Sequence, residues 1–394
     1  MLTDRGWAAL GAALALVVLW VALGEPELLG MGVLLFTATG VAFVFVRRDW
    51  PSLRLARRLN PGVVYEGDQV TVTATLTNDG RRSVWNAELV DEVVGLGSAR
   101  FSAARLRPGE TFVATYQILC RPRGLYPVGP AVLRTTDSLT LAQTGISLGG
   151  QDRLVVYPAF EELEGFPIVS GQDPTVHATR PEFRNLDGED FFTLREYQIG
   201  DDLRRVHWPS SAKLDELMIR QLETPWESRA LVILDPRRGA YRNPAAFEKA
   251  VRGAASVVHH LHGFGFDSDL WAGGDPVPGR HPGAYERAME ALAGAQLTPD
   301  ADLRTGAARL RRAGRGGALV IVTGGPDSEL LDIHRLMSSD YTRTVLLTVA
   351  AAPDDLAEFQ RSGAITVDVP IDGSWQEAWI GVREGRKWVT ASPS

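Results

Sequence analysis

The chain has 394 residues, enough for two or three domains at about 150 residues each and for more than one buried core. Lys+Arg 41 against Asp+Glu 48 leaves a net charge of −7, so the broad basic field needed for non-specific nucleic-acid binding is missing. A single cysteine excludes an internal disulfide and any multi-cysteine zinc or iron–sulfur site, and permits a reducing compartment.

Apolar residues crowd the first 46 positions. Two runs, Trp7–Leu23 and Leu28–Val46, each approach the roughly 20 residues that a helix needs to cross about 30 Å of hydrocarbon. The link between them, Gly24-Glu25-Pro26-Glu27, carries acids and no Lys or Arg, whereas Arg47, Arg48, Arg54, Arg57 and Arg58 follow the second run. Positive charge resists translocation, so residues 1–48 are expected to form a transmembrane helical hairpin in the plasma membrane, with both termini cytoplasmic. Reading the first run as a signal peptide requires a shorter apolar core, and even then the second run stops at the same arginines. Neither run has the polar face of a helix in a soluble pair.

Residues 57–160 read as strands. Gln69–Thr77 alternates with period two and is rich in β-branched residues, between Glu66-Gly67-Asp68 and the turn Asn78-Asp79-Gly80. Thr111–Leu119, Ala131–Thr135 and Leu154–Tyr157 add further runs, and short strands at this turn-punctuated spacing predict an antiparallel β-sandwich. Cys120, beside Ile118 and Leu119, reads as a packing residue. Residues 161–227 have no clear period but are dense in charge, aromatics and turn residues, and segments of this length carry function or pack in a defined way.

From residue 228 to 394 the rhythm is that of a doubly wound α/β domain. Apolar strands at Leu231–Leu234, Phe266–Trp271, Ala318–Val322, Thr344–Val349 and Ile365–Val369 alternate with helical text. The helices fall at Pro244–Leu261, Ala284–Ala293, Leu303–Arg312, Ser328–Met337, Asp354–Arg361 and Trp375–Ile380. That pattern implies a parallel sheet covered on both faces, with ligands beyond the carboxyl ends of its strands. Asp235 closes the first strand and stands where such a site lies.

Three groupings carry candidate chemistry. The run from Arg195 to Lys213 contains Asp201, Asp202 and, five residues on, His207, which suits a metal or acid–base centre. It equally suits a turn at Gly200, an Asp cap on a short helix and carboxylates paired with Arg204 or Arg205. Asp235-Pro236-Arg237-Arg238-Gly239 occupies the place where a von Willebrand factor A fold carries an Asp-x-Ser-x-Ser metal motif. Arg237 and Gly239 replace the two serines, and Thr323-Gly324-Gly325 stands where that fold offers another aspartate. A loop in which Asp235 pairs with an arginine is expected instead of a metal site. His259, His260 and His262 suit a helix C-terminus and lack a third ligand at zinc spacing. No phosphate-binding Gly-rich loop, Gly-x-Ser-x-Gly elbow or His-Glu-x-x-His motif is present.

The central run resembles the signature of the bacterial family called "domain of unknown function 58". Arg195, Tyr197, Gly200, Asp201, Asp202, Arg204, Trp208, Ser211, Ala212 and Lys213 match it in order. Gly124-Leu-Tyr126-Pro-Val-Gly129-Pro130, followed by Asp137, matches an upstream motif of the same family, with Ser138 in place of proline and Thr140 in place of glycine. The resemblance covers the hairpin, the sandwich, the signature and a degenerate von Willebrand factor A-like domain. It implies a partnership with a MoxR-type AAA+ ATPase and a possible transglutaminase-like membrane neighbour, in protein assembly or maturation or in envelope stress. The resulting expectation is a membrane-anchored, non-enzymatic adaptor that needs no cofactor, in which Arg195, Asp201, Asp202, Arg204 and Trp208 form a charged, aromatic interface or an interdomain latch. Two alternatives stand beside it: a metal-dependent hydrolase using Asp201, Asp202 and His207, and a metal-dependent ligand-binding domain centred on Asp235.

Overall fold

The computed structural model describes residues 1–48, 52–165, 192–196, 206–214, 216–222, 229–299, 301–311 and 316–383. The chain divides into two compact units, Met1–Tyr157 and Pro158–Ser394.

The first unit opens with two helices, α1 (Asp4–Leu23) and α2 (Pro26–Arg48). Thr3 caps α1 by accepting a hydrogen bond from the Gly6 amide, and Gly24, at φ 74°, ends it in the left-handed conformation a glycine adopts without strain. The two helices pack as a hairpin. Gly32 lets them approach, since a Cβ there would lie 3.1 Å from the Ala13 carbonyl oxygen. Leu14, Val18, Leu34 and Phe36 stay exposed on the outside of the pair. Both helices are long and apolar enough to cross a membrane.

Ten strands follow. The strands β1 (Leu53–Asn60), β3 (Gln69–Asn78) and β6 (Thr111–Leu119) form one antiparallel sheet in the order β1-β3-β6. The second sheet takes β2 (Val63–Tyr65), β4 (Val84–Val93), β5 (Gly97–Leu106), β7 (Gly124–Val128), β8 (Ala131–Thr136), β9 (Gln143–Leu148) and β10 (Asp152–Tyr157). Its order is β2-β10-β7-β4-β8-β9, with β5 added on β4. Alternate residues face inward: Val70, Val72, Cys120, Val128, Leu154 and Val156 make one core cluster, and Leu76, Leu89, Leu106 and Leu133 make the next. Burial pushes the Cys120 thiol up, as befits a packing residue.

Contrary to the expected basic cluster after α2, Arg57 is not a free cation: its Nε and Nη2 donate to Asp91 at 2.9 and 2.6 Å, and its Nη1 donates to Asp152 at 2.6 Å. The Asp91 side chain is fully buried, and the Tyr116 hydroxyl also donates to it at 2.7 Å. Burial alone would lower the Arg57 pKa, but the bonds and charges of Asp91 and Asp152 outweigh it and hold the pKa above its ordinary value. Gly129 is required beside this pair, because a Cβ there would fall 2.5 Å from the guanidinium. Arg54 pairs with Asp79 at 2.7 Å on the surface.

Ser138 and Thr140, which stand where the resemblance implies proline and glycine, lie in an ordered turn. Asp137 braces it, accepting from the Leu139 amide at 2.8 Å and from the Ala142 amide at 2.6 Å. Thr140 adopts φ 56° where glycine is usual, and its amide donates to the Asp137 carbonyl at 3.0 Å.

In the second unit, β13 (Arg229–Leu234), β14 (Asp267–Trp271), β15 (Gly316–Thr323), β16 (Tyr341–Val349) and β17 (Ile365–Val369) form a parallel sheet in the order β14-β13-β15-β16-β17. Leu231, Ile233, Leu319, Ile321 and Leu346 pack against α6 (Leu303–Arg311), α7 (Ser328–Met337) and α8 (Pro353–Arg361). The alternate residues turn to the other face, where α4 (Pro244–Gly263) lies against β13, β15 and β16, and α9 (Trp375–Arg383) against β17. The helix α5 (Ala284–Gly294) packs on α4. Ahead of this sheet, β11 (Phe192–Glu196) pairs antiparallel with β12 (Met218–Leu222), and α3 (Trp208–Leu214) lies between them in sequence.

Two predictions follow from buried charge. Removing the guanidinium in Arg57→Met strands the Asp91 carboxylate, and should cost the sandwich about 3–5 kcal/mol; Asp152→Asn, at a carboxylate 46% exposed, should cost far less. Urea unfolding of the detergent-solubilised chain measures both, and equal losses would refute the ranking. The second concerns His334 on α7, whose ring is buried beside Phe359. Burial first, then the Arg335 charge, lower its pKa below the unfolded value of 6.5, against an opposing effect of the Ser362 backbone. The unfolded state therefore binds more protons below about pH 6.5, so stability should fall as pH drops through that value towards the folded-state pKa. In His334→Leu the thermal midpoint of the second unit should lose part of this acid sensitivity; an unchanged pH profile would exclude His334 as a source.

Candidate functional site

At the carboxyl ends of β13 and β15, charged side chains gather around one fully buried carboxylate, that of Asp235. Asp235 follows directly on β13, and its amide still donates to Val322 at 2.8 Å, so the sheet ladder fixes its backbone. Its side chain is fully buried. Thr323, the last residue of β15, donates from Oγ1 to Asp235 Oδ2 at 3.0 Å. Tyr241, also buried, donates its hydroxyl to the Asp235 carbonyl at 2.7 Å. Burial, reinforced by the Asp235 charge, keeps that phenol well above its ordinary pKa.

Arg237 lies across this group as a fork. Its Nε and Nη2 donate to the two Asp235 oxygens at 3.1 and 2.9 Å. Its Nη1 reaches Asp327 Oδ2 and Glu329 Oε2, both at 2.8 Å. The Arg237 amide adds a bond to Asp235 Oδ1 at 3.0 Å. Asp327 is held in place as the N-cap of α7, accepting from the Leu330 amide at 2.9 Å. Burial would lower the Arg237 pKa, but the bonds and charges of Asp235 and Asp327 prevail and raise it, so the cation is permanent.

The glycine at 324 has a steric reason here. A Cβ on Gly324 would lie 2.3 Å from the Ala240 carbonyl oxygen and 2.6 Å from the Tyr241 ring, and the Gly325 amide donates to that carbonyl at 2.7 Å. Gly324 thus allows the loop after β13 to close over the end of β15. A hard divalent cation would need the same carboxylate and hydroxyl oxygens that the guanidinium already engages. The residues at Asp235 therefore do not fit a metal centre. Farther along the same edge, Asp368 on β17 accepts from Thr348 Oγ1 at 2.6 Å and from the Ala351 amide at 3.0 Å. Burial nonetheless raises its pKa.

Among the predicted signature residues, Tyr197, Gly200, Asp201, Asp202 and Arg204 lie outside the described residues. Arg195 falls in β11, opposite Ile219 of β12. Trp208 begins α3 and is 67% exposed, and Lys213 in its last turn is exposed as well. Ser211 is buried instead: it donates to the His207 carbonyl at 3.0 Å and accepts from the Met218 amide at 2.8 Å. His207 donates its own amide to the Met218 carbonyl at 2.7 Å, and its Nδ1 lies 2.8 Å from Ser210 Oγ. These two residues fasten α3 to β12. No group of three or more His, Cys, Asp and Glu side chains is placed to hold a metal ion among the described residues. His259 instead lies 2.9 Å from the Tyr285 hydroxyl through Nδ1, and the His262 ring stacks on Tyr285 at 4.5 Å.

A second charged centre was not foreseen. Glu161, in the segment read as periodless, accepts from Ser374 Oγ at 2.6 Å, Lys249 Nζ at 3.1 Å and the Gln376 amide at 3.1 Å. Its own amide donates to Ser256 Oγ at 2.9 Å. Burial alone would raise its pKa, but these three bonds and the Lys249 charge hold it below the ordinary value. Nearby, Trp375 Nε1 donates to the Lys249 carbonyl at 3.0 Å, over Gly253, where a Cβ would meet the indole at 2.7 Å.

Residues 193–374 match the family model described as "Protein of unknown function DUF58". They are a DUF58 domain. An uncharacterized protein of Bacillus subtilis (strain 168), YeaD, is 26% identical over 221 residues, 53% of each chain. The chain thus spans about half the length of that relative. In fold, the CARDB domain of the PF1109 protein from Pyrococcus furiosus aligns with 27% of this chain and 94% of its own, at 17% identity and TM-score 0.22. The β-glucosidase 3B of Thermotoga neapolitana, solved with glucose, aligns with 27% of this chain and 17% of its own, at 14% identity and TM-score 0.16. The sandwich is defined here by its own strand pairing.

The fork at the DUF58 domain's strand ends makes a quantitative claim. Arg237→Ala leaves Asp235 buried without its cation and should destabilise the domain by about 3–5 kcal/mol. Asp235→Asn/Arg237→Met removes both charges and should recover most of that loss. Denaturant melts of the two variants decide it: equal destabilisation would mean that the ion pair is not what the site depends on.

Proposed function

We propose that this chain is a membrane-anchored, non-enzymatic adaptor that works with a MoxR-type AAA+ ATPase in the assembly or maturation of other proteins or in envelope stress. A transglutaminase-like membrane protein is a further neighbour in the same setting. The hairpin fixes the chain in the plasma membrane as a two-span protein, with the arginines that follow α2 and both termini on the cytoplasmic side. The observation that carries the non-enzymatic reading is Arg237. A parallel sheet of this order, with an aspartate closing β13, supports a von Willebrand factor A-like domain in which a tethered guanidinium supplies the positive charge at the strand ends. Such a site needs no exchangeable ion and offers no open coordination position for chemistry. Trp208, aromatic and exposed at the start of α3, supports a protein contact on the same domain.

His207, one of three residues in the hydrolase alternative, has its Nδ1 engaged by Ser210 and its backbone tied to β12. That makes it part of the fold and favours the adaptor.

The test is mild crosslinking in the native membrane, followed by solubilisation and identification of what co-purifies with the tagged chain. Wild type should retain an AAA+ ATPase, and Trp208→Ala, checked for an unchanged melt, should lose most of it. Recovery from neither would remove the partnership. Titration with millimolar Mg²⁺ or Mn²⁺ should give no saturable binding, and binding abolished by Asp201→Ala would replace the adaptor with the hydrolase.

A further inference from the structure

We propose that the sandwich turn Asp137–Ala142 is a lipid-contacting element, seated in the headgroup layer beside the first turn of α1. This deepens the membrane-anchor reading and rests on it. The segment before α1 is bonded directly to the turn. The Gln143 amide donates to the Met1 carbonyl at 2.8 Å, the Thr3 amide donates to Leu141 at 3.1 Å, and Leu2 bridges Ala142 in antiparallel fashion. The Thr3 hydroxyl donates to the Thr140 carbonyl, and Arg5 Nη1 donates to Thr140 Oγ1 at 2.9 Å. Helix and turn meet backbone to backbone at Gly6, where a Cβ would lie 2.1 Å from the Leu141 carbonyl oxygen.

This contact fixes the depth of the turn. The 20 residues of α1 span roughly 30 Å, about the thickness of the hydrocarbon, so the helix has no length to spare. Its first turn must therefore lie at the membrane boundary, and Thr140 lies with it. The chemistry presented at that level is interfacial. Leu139 is 63% exposed at the tip of the turn, Trp7 is 65% exposed on α1, and Arg5 supplies a cation for lipid phosphates. Asp137 makes the turn stiff, so Leu139 is held outward with its ordering cost already met. An apolar tip held at headgroup depth by a membrane helix fits a lipid surface.

The test uses the full chain in vesicles of phosphatidylcholine and phosphatidylglycerol, with Cys120→Ala as background and one nitroxide label per variant. Labels go at Leu139→Cys, at Ser138→Cys as a second site in the turn, at Leu34→Cys within α2, and at Leu119→Cys at the far end of β6. Collisions with oxygen and with a water-soluble nickel chelate are compared. The expected result is that oxygen wins at 34, that at 138 and 139 the balance shifts from the aqueous value towards oxygen, and that the chelate wins at 119. A membrane-buried label at 34 with a fully aqueous turn would overturn the proposal and leave the anchor standing. An aqueous label at 34 would overturn the anchor itself. Labels in the turn shielded from both reagents would mean that a protein surface, not lipid, covers it.

Discussion

A carboxylate taken fully out of water must be given a cation or be neutralised, and Asp235 sits under that constraint at the end of a parallel strand. The chain meets it two residues later with Arg237, and the rest of the strand edge is arranged around that pairing. Thr323 donates to the same carboxylate and Tyr241 to the Asp235 backbone carbonyl, the N-cap of α7, Asp327, also bonds the arginine, and Gly324 yields the space through which the loops close. The sandwich solves the same problem by the same means, with Arg57 set between Asp91 and Asp152 and Gly129 cleared beside it. In both places the planar fork of arginine does what a lysine ammonium would not, since it bonds two carboxylates at Arg57 and three at Arg237 from one fixed plane.

How much of this the sequence showed depends on whether a signal was local. The strands Ile365–Val369 and Thr111–Leu119 and the helix Ser328–Met337 are legible to the residue, because unbroken apolar runs, strict alternation or a capping Asp327 mark their ends. The pairing of Asp235 with an arginine is also legible, since the partners are two positions apart. Asp327 and Glu329 were not, because they reach Arg237 across 90 and 92 positions. Glu161 was hidden for the same reason, 213 positions from Ser374.

The first strand failed differently. Leu53-Arg-Leu-Ala-Arg-Arg-Leu-Asn60 alternates in burial, but its arginines follow an apolar helix and mimic the basic cluster that sets membrane orientation. Arg57 then belongs to the core of the sandwich, which weakens the charge asymmetry without reversing it. The strands β4 and β5 are weakly marked in the sequence because Asp91, Glu92, Arg100 and Arg105 dilute their apolar period. A buried ion pair costs a strand its sequence signature as well as desolvation energy.

Substitution at a turn is instructive in the opposite direction. The turn has neither proline at 138 nor glycine at 140, the two residues that shape turns most strongly, yet it holds a left-handed residue at Thr140. What fixes it is Asp137, whose carboxylate satisfies two amides in the turn at once. Threonine at 140 adds something glycine lacks, a hydroxyl that accepts a bond from Arg5 on the first turn of α1. The strain of a β-branched residue at positive φ is thus set against a contact that joins the sandwich to the helix hairpin. Through that contact, a choice of turn residue becomes a constraint on where the sandwich stands relative to α1.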